Sequence, residues 1–161
     1  MKNFRDKEFK HLDKMDPEFL QFLDDVRTEA GVPFFLTSDA RDWRTNKQVG
    51  GSSTSLHLYV HENKLVNQEE RLASAVDFAT PGSRARNKVL WREECWKIAE
   101  AVVLVSRSRE TFGPEGETWS LPIYRRAVQL EYVQGPNDWH CHLALQPNGS
   151  PIKSKIILKQ D

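Results

Sequence analysis

Apolar residues recur at three- and four-residue steps in one early segment of the chain. The set is Phe19, Leu20, Phe22, Leu23, Val26 and Ala30. This spacing places the apolar side chains along one face of a helix. Asp16 can cap the free amides of the first turn, Pro17 suits that turn, and Gly31 suits the end of a helix. The pattern therefore predicts a helix that begins after Asp16 and ends before Gly31.

A longer helical pattern covers residues 83–108 and follows a turn predicted at Pro81-Gly82. Its length and periodicity indicate a helix with one face against the core. The apolar side is assigned to Val89, Leu90, Cys95, Trp96, Ile98, Ala99, Val102 and Val103.

Five short apolar segments have the length and composition of strands. They are residues 32–37, 75–79, 119–121, 127–133 and 139–145. The last two are predicted to form an antiparallel hairpin, because Gly135-Pro136-Asn137-Asp138 between them is a strong turn signal. Residues 38–56 are rich in Ser, Thr, Gly and Asn and are expected to form a long ordered loop that carries function. Helices early and strands later predict an α+β fold, with helices packed on a small antiparallel sheet.

The size and charge of the chain narrow the class of protein. Its 161 residues suit one domain over residues 1–161, and the 23 basic and 23 acidic residues cancel. The chain-wide positive field that favours nucleic acid is therefore absent, and no stretch approaches the roughly 20 apolar residues of a membrane span. Neither nucleic acid nor a membrane is expected as a partner. Cys95 and Cys141 lack a metal-binding spacing and are predicted to be buried free thiols.

The N-terminal segment alternates charged residues with single aromatic residues and lacks the apolar stretch of a secretory signal. The expectation is therefore synthesis in the cytoplasm without a signal peptide.

Two histidines lie two positions apart in the segment Trp139-His140-Cys141-His142. Because side chains alternate between the faces of a strand, His140 and His142 are expected to point the same way. One of them can then bind a metal ion while the other works beside it. Taken alone, the pattern is weak evidence for a site and is more typical of a surface or core pair.

A candidate zinc site combines this pair with two earlier residues. His57 lies in the predicted loop, and Asp77 lies in an apolar predicted strand. A carboxylate in such a strand needs a partner, which can be a metal ion, a salt bridge or the amides of a turn. His57, Asp77 and one histidine of the pair supply two nitrogens and one oxygen, and catalytic zinc with three protein ligands keeps a fourth position for water.

Several motifs occur in a fixed order along the chain. They are Leu36-Thr37-Ser38-Asp39-Ala40-Arg41, Asn46, Val49-Gly50-Gly51-Ser52-Ser53, Ser55-Leu56-His57-Leu58-Tyr59 and Ala75-Val76-Asp77. In this order they resemble peptidase family M15, the zinc D-Ala-D-Ala carboxypeptidases and phage L-alanyl-D-glutamate endolysins. The family hallmark reads S-x-H-x-x-G-x-A-x-D, followed far downstream by a histidine on a strand. The resemblance covers about residues 17–145. It implies a hedgehog/D-Ala-D-Ala-peptidase-like fold, bound Zn²⁺ and hydrolysis of peptidoglycan stem or cross-bridge peptides.

The chain departs from the hallmark between the first histidine and the aspartate. His57 and Asp77 are 20 positions apart, whereas the hallmark has seven, so residues 60–72 resemble an insertion and the hallmark glycine is lost. The insertion is expected to protrude over the cleft. It also contains a rival ligand, His61, but the Ser-x-His context favours His57.

A second departure concerns the catalytic acid or base, which the family places shortly before the third ligand. If His142 is the ligand, His140 fills that role with support from Asp138. If His140 binds zinc instead, Asn137 falls at the position of the base, and an amide cannot take a proton. The first assignment is favoured because it explains activity simply, and the second stays open.

The resemblance also implies roles around the metal. Arg41 matches the cleft arginine of the family and is expected to stabilise the oxyanion or hold a substrate carboxylate, with an ordinary exposed arginine as the alternative. Ser55 and Tyr59 are expected to shape the loop and orient His57.

The predicted function is that of a monomeric zinc metallopeptidase, either a D-Ala-D-Ala carboxypeptidase or a phage-derived endolysin. It would act on the cell wall after holin-type release or as a component of a phage particle. Two alternatives stay open at this point. One is a non-catalytic zinc-containing module that binds peptidoglycan or a protein, and the other is a plain structural domain.

Overall fold

The protein contains both helices and strands, which confirms the predicted α+β fold class. The structure, a computed structural model, describes residues 1–52, 54–59, 71–107, 110–112, 118–120, 126–147 and 154–160. The helices are α1 (Pro17–Ala30), α2 (Trp43–Gln48), α3 (Pro81–Ala85) and α4 (Lys88–Arg107), with short 3₁₀ turns at Asp6–Glu8 and Leu12–Lys14. The strands are β1 (Phe35–Ser38), β2 (Ala75–Ala79), β3 (Glu110–Phe112), β4 (Thr118–Ser120), β5 (Val128–Gln134), β6 (Trp139–Leu145) and β7 (Lys155–Gln160).

Five strands form one sheet in the order β1-β2-β6-β5-β7, and β3 pairs with β4 apart from it. The pairs β1/β2, β2/β6 and β5/β6 are antiparallel, so the predicted hairpin is confirmed. The expected antiparallel sheet is wrong at one edge, because β7 joins β5 in parallel and makes the sheet mixed. A parallel strand needs a crossover connection rather than a tight turn, and no local turn signal in the sequence announces it.

Helix α1 has the predicted ends. The Asp16 side chain accepts hydrogen bonds from the backbone amides of Glu18 and Phe19 at 2.9 and 3.3 Å. Gly31 ends the helix in the left-handed conformation with φ of 61°, where a side chain would add strain. The predicted apolar face is buried in the core, which confirms the spacing argument.

The predicted long loop is interrupted by α2. Asp42 begins this helix by accepting a hydrogen bond from the Thr45 amide at 2.7 Å, which offsets the unpaired amides of the first turn. The helix buries one residue, Asn46, and lacks an apolar face. The periodicity of apolar residues therefore could not indicate it, although the Asp42 cap was a usable signal.

The Pro81-Gly82 segment begins a helix instead of forming a turn. Thr80 caps α3, and its hydroxyl accepts a hydrogen bond from the Ser83 amide. Arg86 then adopts a left-handed conformation with φ of 51°. This residue separates α3 from α4, so the single helix predicted from residue 83 is wrong at its start.

The buried face of α4 differs from the predicted apolar side. Val89, Trp96 and Val103 are exposed by 78%, 69% and 37%, although the spacing assigned them to the core. The buried positions are Trp91, Glu94, Ile98, Ala101, Val102 and Val105. Burial of Glu94 is possible because its carboxylate accepts hydrogen bonds from the Gly82 amide at 2.9 and 3.0 Å and from the Thr80 hydroxyl.

The sheet has one apolar face and one polar face. Alternate residues of the three central strands are buried toward the helices: Val76, Phe78, Leu130, Tyr132, Cys141 and Leu143. Side chains between them point to the other face. The polar positions on that face include Asp77, Glu131, His140 and His142. The alternation that buries the apolar side chains therefore also brings these polar side chains onto one face of the sheet.

Cys95 and Cys141 are free thiols, as predicted. Cys141 is buried and Cys95 is half-buried, and burial raises the pKa of the Cys141 thiol. Across the described residues, none of the helices is long and apolar enough to cross a membrane.

Changing Gly82 to Ala is expected to destabilise the fold. A Cβ atom at this position would lie 2.5 Å from a carboxylate oxygen of Glu94 and 2.6 Å from the backbone nitrogen of Trp91. Crowding of this kind typically costs about 1–3 kcal/mol. The free energy of unfolding, measured by urea denaturation, should fall by that amount. Gly135→Ala is the matched control, because its new Cβ would make an ordinary 3.4 Å contact; equal stability of the two variants would contradict the packing argument.

Candidate metal centre

Three side chains from distant parts of the sequence converge on the polar face of the sheet. His142 Nδ1 lies 2.8 Å from Asp77 Oδ1, and His57 Nε2 lies 3.2 Å from the same oxygen. The two ring nitrogens are 3.3 Å apart. His57, Asp77 and His142 therefore form a compact group able to hold a metal ion. The sequence predicted this set, and its role as ligands stays a prediction.

Strand pairing places the two later members beside each other. Asp77 on β2 is directly opposite His142 on β6 in an antiparallel register. On its other side β2 pairs with β1, where the register shifts between Leu36 and Ser38 and brings Ser38 opposite Asp77. Such irregularities re-aim side chains. Asp77 therefore lies between Ser38 on β1 and His142 on β6.

The loop that carries His57 is tied to the rest of the site by backbone hydrogen bonds. The Arg41 amide donates to the His57 carbonyl at 2.7 Å, and the Tyr59 amide donates to the Arg41 carbonyl at 3.1 Å. The Ser55 hydroxyl accepts from the His57 amide at 3.3 Å, as expected of a residue that shapes the loop. Tyr59 contributes here through its backbone, next to Arg41 rather than His57.

The ring of His57 is oriented by a backbone carbonyl. Its Nδ1 lies 2.8 Å from the carbonyl oxygen of Asp39, and a carbonyl accepts hydrogen bonds without donating them. Nδ1 therefore carries a proton, and Nε2 is the ring nitrogen that faces the cluster. Metal-binding histidines are held in this way by their second nitrogen.

Nε2 of His57 and Oδ1 of Asp77 face each other across the cluster. The 3.2 Å distance between these two atoms is stable when Nε2 carries a proton that it donates to Oδ1, or when both atoms bind one metal ion. Zinc–nitrogen bonds of about 2.0–2.1 Å place neighbouring ligand atoms of a tetrahedron about 3.3 Å apart. The observed separations of 2.8, 3.2 and 3.3 Å approach that value. Two imidazole nitrogens and one carboxylate oxygen therefore fit a zinc ion in both chemistry and spacing.

Electrostatics hold Asp77 in its ionised form. Burial raises the pKa of this carboxyl, but hydrogen bonds from His142 and His57 and their charges lower it further, so the pKa lies well below the ordinary value. The carboxylate keeps 15% side-chain exposure and His142 keeps 18%, whereas His57 keeps 3%. In the three-residue cluster, His57 is therefore buried, whereas Asp77 and His142 are accessible to solvent.

Arg41 contacts the carboxylate oxygen that faces away from the histidines. Its Nη2 donates to Asp77 Oδ2 at 2.8 Å, and Nε and Nη2 donate to the Ser38 hydroxyl at 2.8 and 2.6 Å. The side chain is 18% exposed, so the alternative of an ordinary exposed arginine does not describe it. Two of its three nitrogens are committed to holding Asp77 and β1 together.

His140 lies on the same strand two positions before His142, outside the three-residue cluster. Its Nδ1 is 2.8 Å from Asp138 Oδ2, a contact that lacks the alignment of a hydrogen bond. Asn137 is exposed in the hairpin turn. This arrangement favours His142 as ligand and His140 as its neighbour, which is the first of the two assignments made from the sequence. His61 and most of the insertion lie outside the described residues.

Two residues near the centre were given no role from the sequence. Asp39 orients His57 through its carbonyl, and its buried carboxylate accepts from the amides of Lys10 and His11 at 2.6 and 2.9 Å. Glu131 is buried on β5 directly opposite His142, with its Oε1 accepting from Gln129 Nε2 at 2.7 Å. The strand alternation around Glu131 was a usable clue, whereas a role exercised through a backbone carbonyl leaves none.

The fold and the cluster define a candidate metal centre of two histidines and one aspartate on a sheet face. A family model described as Peptidase M15 matches residues 4–110, well over half of the chain. The chain therefore belongs to peptidase family M15, a family of generally metal-dependent peptidases. The matched region contains His57 and Asp77 and stops before the hairpin of His140 and His142. Neither curated proteins nor solved structures gave a significant match.

Changing Asp39 to Ala is expected to weaken zinc binding about 10- to 100-fold, the usual effect of losing a group that orients a metal ligand. The carboxylate fixes the backbone whose carbonyl holds His57, through the Lys10 and His11 amides. Competition with a fluorescent zinc chelator measures the affinity. Asp39→Asn keeps one acceptor and should recover part of it, while the exposed Asp13→Ala should have no effect. Unchanged zinc affinity in a folded Asp39→Ala variant would refute this role.

Proposed function

We propose that the protein is a zinc metallopeptidase that hydrolyses a peptide bond of bacterial peptidoglycan, in a stem peptide or a cross-bridge. The observation that carries the proposal is the convergence of His57, Asp77 and His142 in a chain of peptidase family M15. Family membership supplies the peptidase class. The donor set supports zinc, because two imidazoles and one carboxylate with an open side are typical of catalytic zinc sites.

In this proposal His57, Asp77 and His142 hold the ion. Zinc, when bound, polarises a substrate carbonyl and lowers the pKa of a bound water to about 7. Asp39 and Arg41 keep two of the ligands in position, through the contacts of 2.8 Å to His57 and to Asp77.

Proton transfer is assigned to His140, assisted by Asp138. Its ring lies on the same strand face as His142 and contacts the Asp138 carboxylate, which favours the protonated imidazole when His140 accepts a proton. His140 takes the proton from the attacking water and returns it to the leaving amine. Arg41 has its Nη1 remaining to stabilise negative charge on the substrate.

Clefts of peptide scale adjoin the centre. One of about 360 Å³ is lined by Ser38, Asp39 and Arg41, and another of about 430 Å³ is lined by His142 and the loop before His57. An extended peptide with its scissile bond at the centre has room for residues in these clefts. This arrangement supports an endopeptidase or carboxypeptidase acting on short cell-wall peptides.

The proposed place of action follows from the proposed substrate, which is peptidoglycan. The protein would act as a monomer on the cell wall, either after cytoplasmic synthesis and holin-type release or as a component of a phage particle. Mass spectrometry of muropeptides released from purified peptidoglycan tests the substrate, and the new termini identify the bond.

Substituting any of the three ligands by alanine should abolish zinc retention. The variants are His57→Ala, Asp77→Ala and His142→Ala, and each removes one of the three converging donor atoms. Zinc content per protein, measured by plasma mass spectrometry after dialysis, should fall from near one to near zero. His61→Ala is the control, because it removes the rival histidine. Zinc loss in His61→Ala together with retention in His57→Ala would reverse the ligand assignment.

Changing His140 to Ala should leave zinc bound and lower kcat about 10²- to 10⁴-fold, the contribution expected of a general acid or base. The readouts are zinc content and the rate of peptidoglycan hydrolysis. Asn137→Ala is the matched control in the same hairpin and should retain activity. Normal turnover of the His140 variant would contradict the assignment. If the unaltered protein binds zinc and hydrolyses no peptide, the non-catalytic binding module becomes the correct description.

A further inference from the structure

One cleft beside the metal centre contains a permanent positive charge. The cleft of about 430 Å³ is lined by His142 and by Arg71, the residue that follows the undescribed part of the insertion. The other polar side chains lining it are neutral: Ser52, Thr54, Ser55, Gln129 and Gln146. Among the described residues, no carboxylate lines this cleft. In the described part of the lining, an anionic group entering the cleft would meet the Arg71 cation and no carboxylate.

The guanidinium of Arg71 is held in place by neutral acceptors. Its Nη2 donates to the Ser55 carbonyl at 2.7 Å, and its Nε donates to the Leu58 carbonyl at 3.2 Å. These two carbonyls flank His57 in the sequence, so the cation is fixed to the loop that carries a candidate ligand. The Nη1 nitrogen remains for a further hydrogen bond, because neither of these contacts uses it.

The buried Arg126 and the half-buried Arg41, by contrast, have carboxylate partners. Arg126 pairs with Asp16 at 2.6 Å and with Glu18 at 3.0 Å, and Arg41 pairs with Asp77 at 2.8 Å. Arg71 is half-buried, yet within the described ranges no carboxylate lies at ion-pair distance from it. Burial lowers the pKa of Arg71, but an arginine stays charged at neutral pH. A partly desolvated cation of this kind is stabilised when an anion binds.

Clamping the loop does not by itself explain an arginine at this position. Two hydrogen bonds to carbonyls require two donors and no charge, and a neutral amide side chain supplies two donors without the cost of desolvating a cation. A guanidinium additionally offers a planar set of donors that matches a carboxylate. Arg41 has that geometry too, but its Nη2 and Nε are committed to Asp77 and Ser38.

We propose that Arg71 is a specificity residue that binds a free carboxylate of the peptide substrate in the cleft beside His142. This inference rests on the proposed peptidase function and assigns to Arg71 the recognition of a free carboxylate close to the scissile bond. Two sources supply such a group. One is the C-terminal carboxylate of a D-Ala-D-Ala peptide, and the other is the α-carboxylate of a γ-linked D-glutamate.

The test compares each carboxylate with its neutral amide. The first pair of probes is acetyl-L-Lys-D-Ala-D-Ala and its C-terminal amide. The second pair is L-Ala-γ-D-Glu-L-Lys with the glutamate α-carboxylate free or as the carboxamide. The zinc-loaded protein should prefer the carboxylate member of one pair in kcat/KM by about tenfold or more, the range of a charge-assisted hydrogen bond. The pair that shows the preference identifies the source.

Arg71→Gln should remove that preference while retaining zinc, and Arg71→Lys should restore part of it. Arg44→Gln, on the exposed surface of α2, is the matched control and should keep the full preference. Calorimetric binding of the same peptides to the metal-free protein gives a readout independent of hydrolysis. An equal preference in Arg71→Gln and the unaltered protein, or no preference in the unaltered protein, overturns the proposal.

Failure of this inference can be told apart from failure of the proposed function. If the zinc-loaded protein hydrolyses none of the probes or peptidoglycan, the peptidase function fails, and peptide binding still decides the role of Arg71. If Arg71→Gln does not fold, the side-chain Nε–H signal of Arg71 in the unaltered protein decides it by nuclear magnetic resonance. A shift of that signal with a carboxylate peptide and not with its amide supports the proposal, and no shift with either pair overturns it.

Discussion

The ionised carboxylate of Asp77, held in the middle of a sheet, is the constraint on which the site depends. A charge at that position is costly unless each of its oxygens has a partner. The two oxygens serve different partners: Oδ2 binds the guanidinium of Arg41, and Oδ1 lies against the rings of His57 and His142. Arg41 therefore fixes the direction of the carboxylate, which leaves one oxygen aimed at the two imidazoles. The geometry of the candidate metal centre follows from this division between the two oxygens.

The same sheet supplies both the stability and the chemistry. Phe78 and Cys141 face the helices and are fully buried, while Asp77 and His142, their neighbours along the same strands, face the opposite side. A shift of one residue in the register of β2 against β6 would send Asp77 into the apolar core and expose Phe78. Core packing thus enforces the register that places the aspartate opposite the histidine. The relative position of Asp77 and His142 is therefore well defined, because a shift in strand register that separated them would also disrupt the core.

Local signals in the sequence were sufficient for part of this structure. The Asp16 cap, the Gly31 stop and the boundaries of β2 and β6 are encoded within a few residues and were predicted correctly. Features that depend on distant neighbours were not. The choice between His140 and His142 depends on which of them lies opposite Asp77. Val89 and Trp96 are exposed because the core covers another face of α4. The pairing of β7 with β5 has no local cause in the sequence. Residue types and their order could predict which three side chains converge, whereas the contact of the Asp39 carbonyl with His57 depends on how the chain folds.

Three arginines near the site illustrate how position decides the use of the same side chain. Arg126 is buried between two carboxylates and cross-links the start of α1 to the chain beyond residue 125, a structural task. Arg41 shares its cation with a candidate ligand, so any substrate group that approaches it competes with Asp77. Arg71 is bound by carbonyls, which orient a guanidinium without neutralising it. In the described parts of the site, the guanidinium of Arg71 therefore lies on the side of His142 without a carboxylate partner, whereas that of Arg41 lies on the side of Ser38 and holds Asp77. Arg71 also lies within residues 60–72, the stretch of sequence in which the chain departs from the family hallmark.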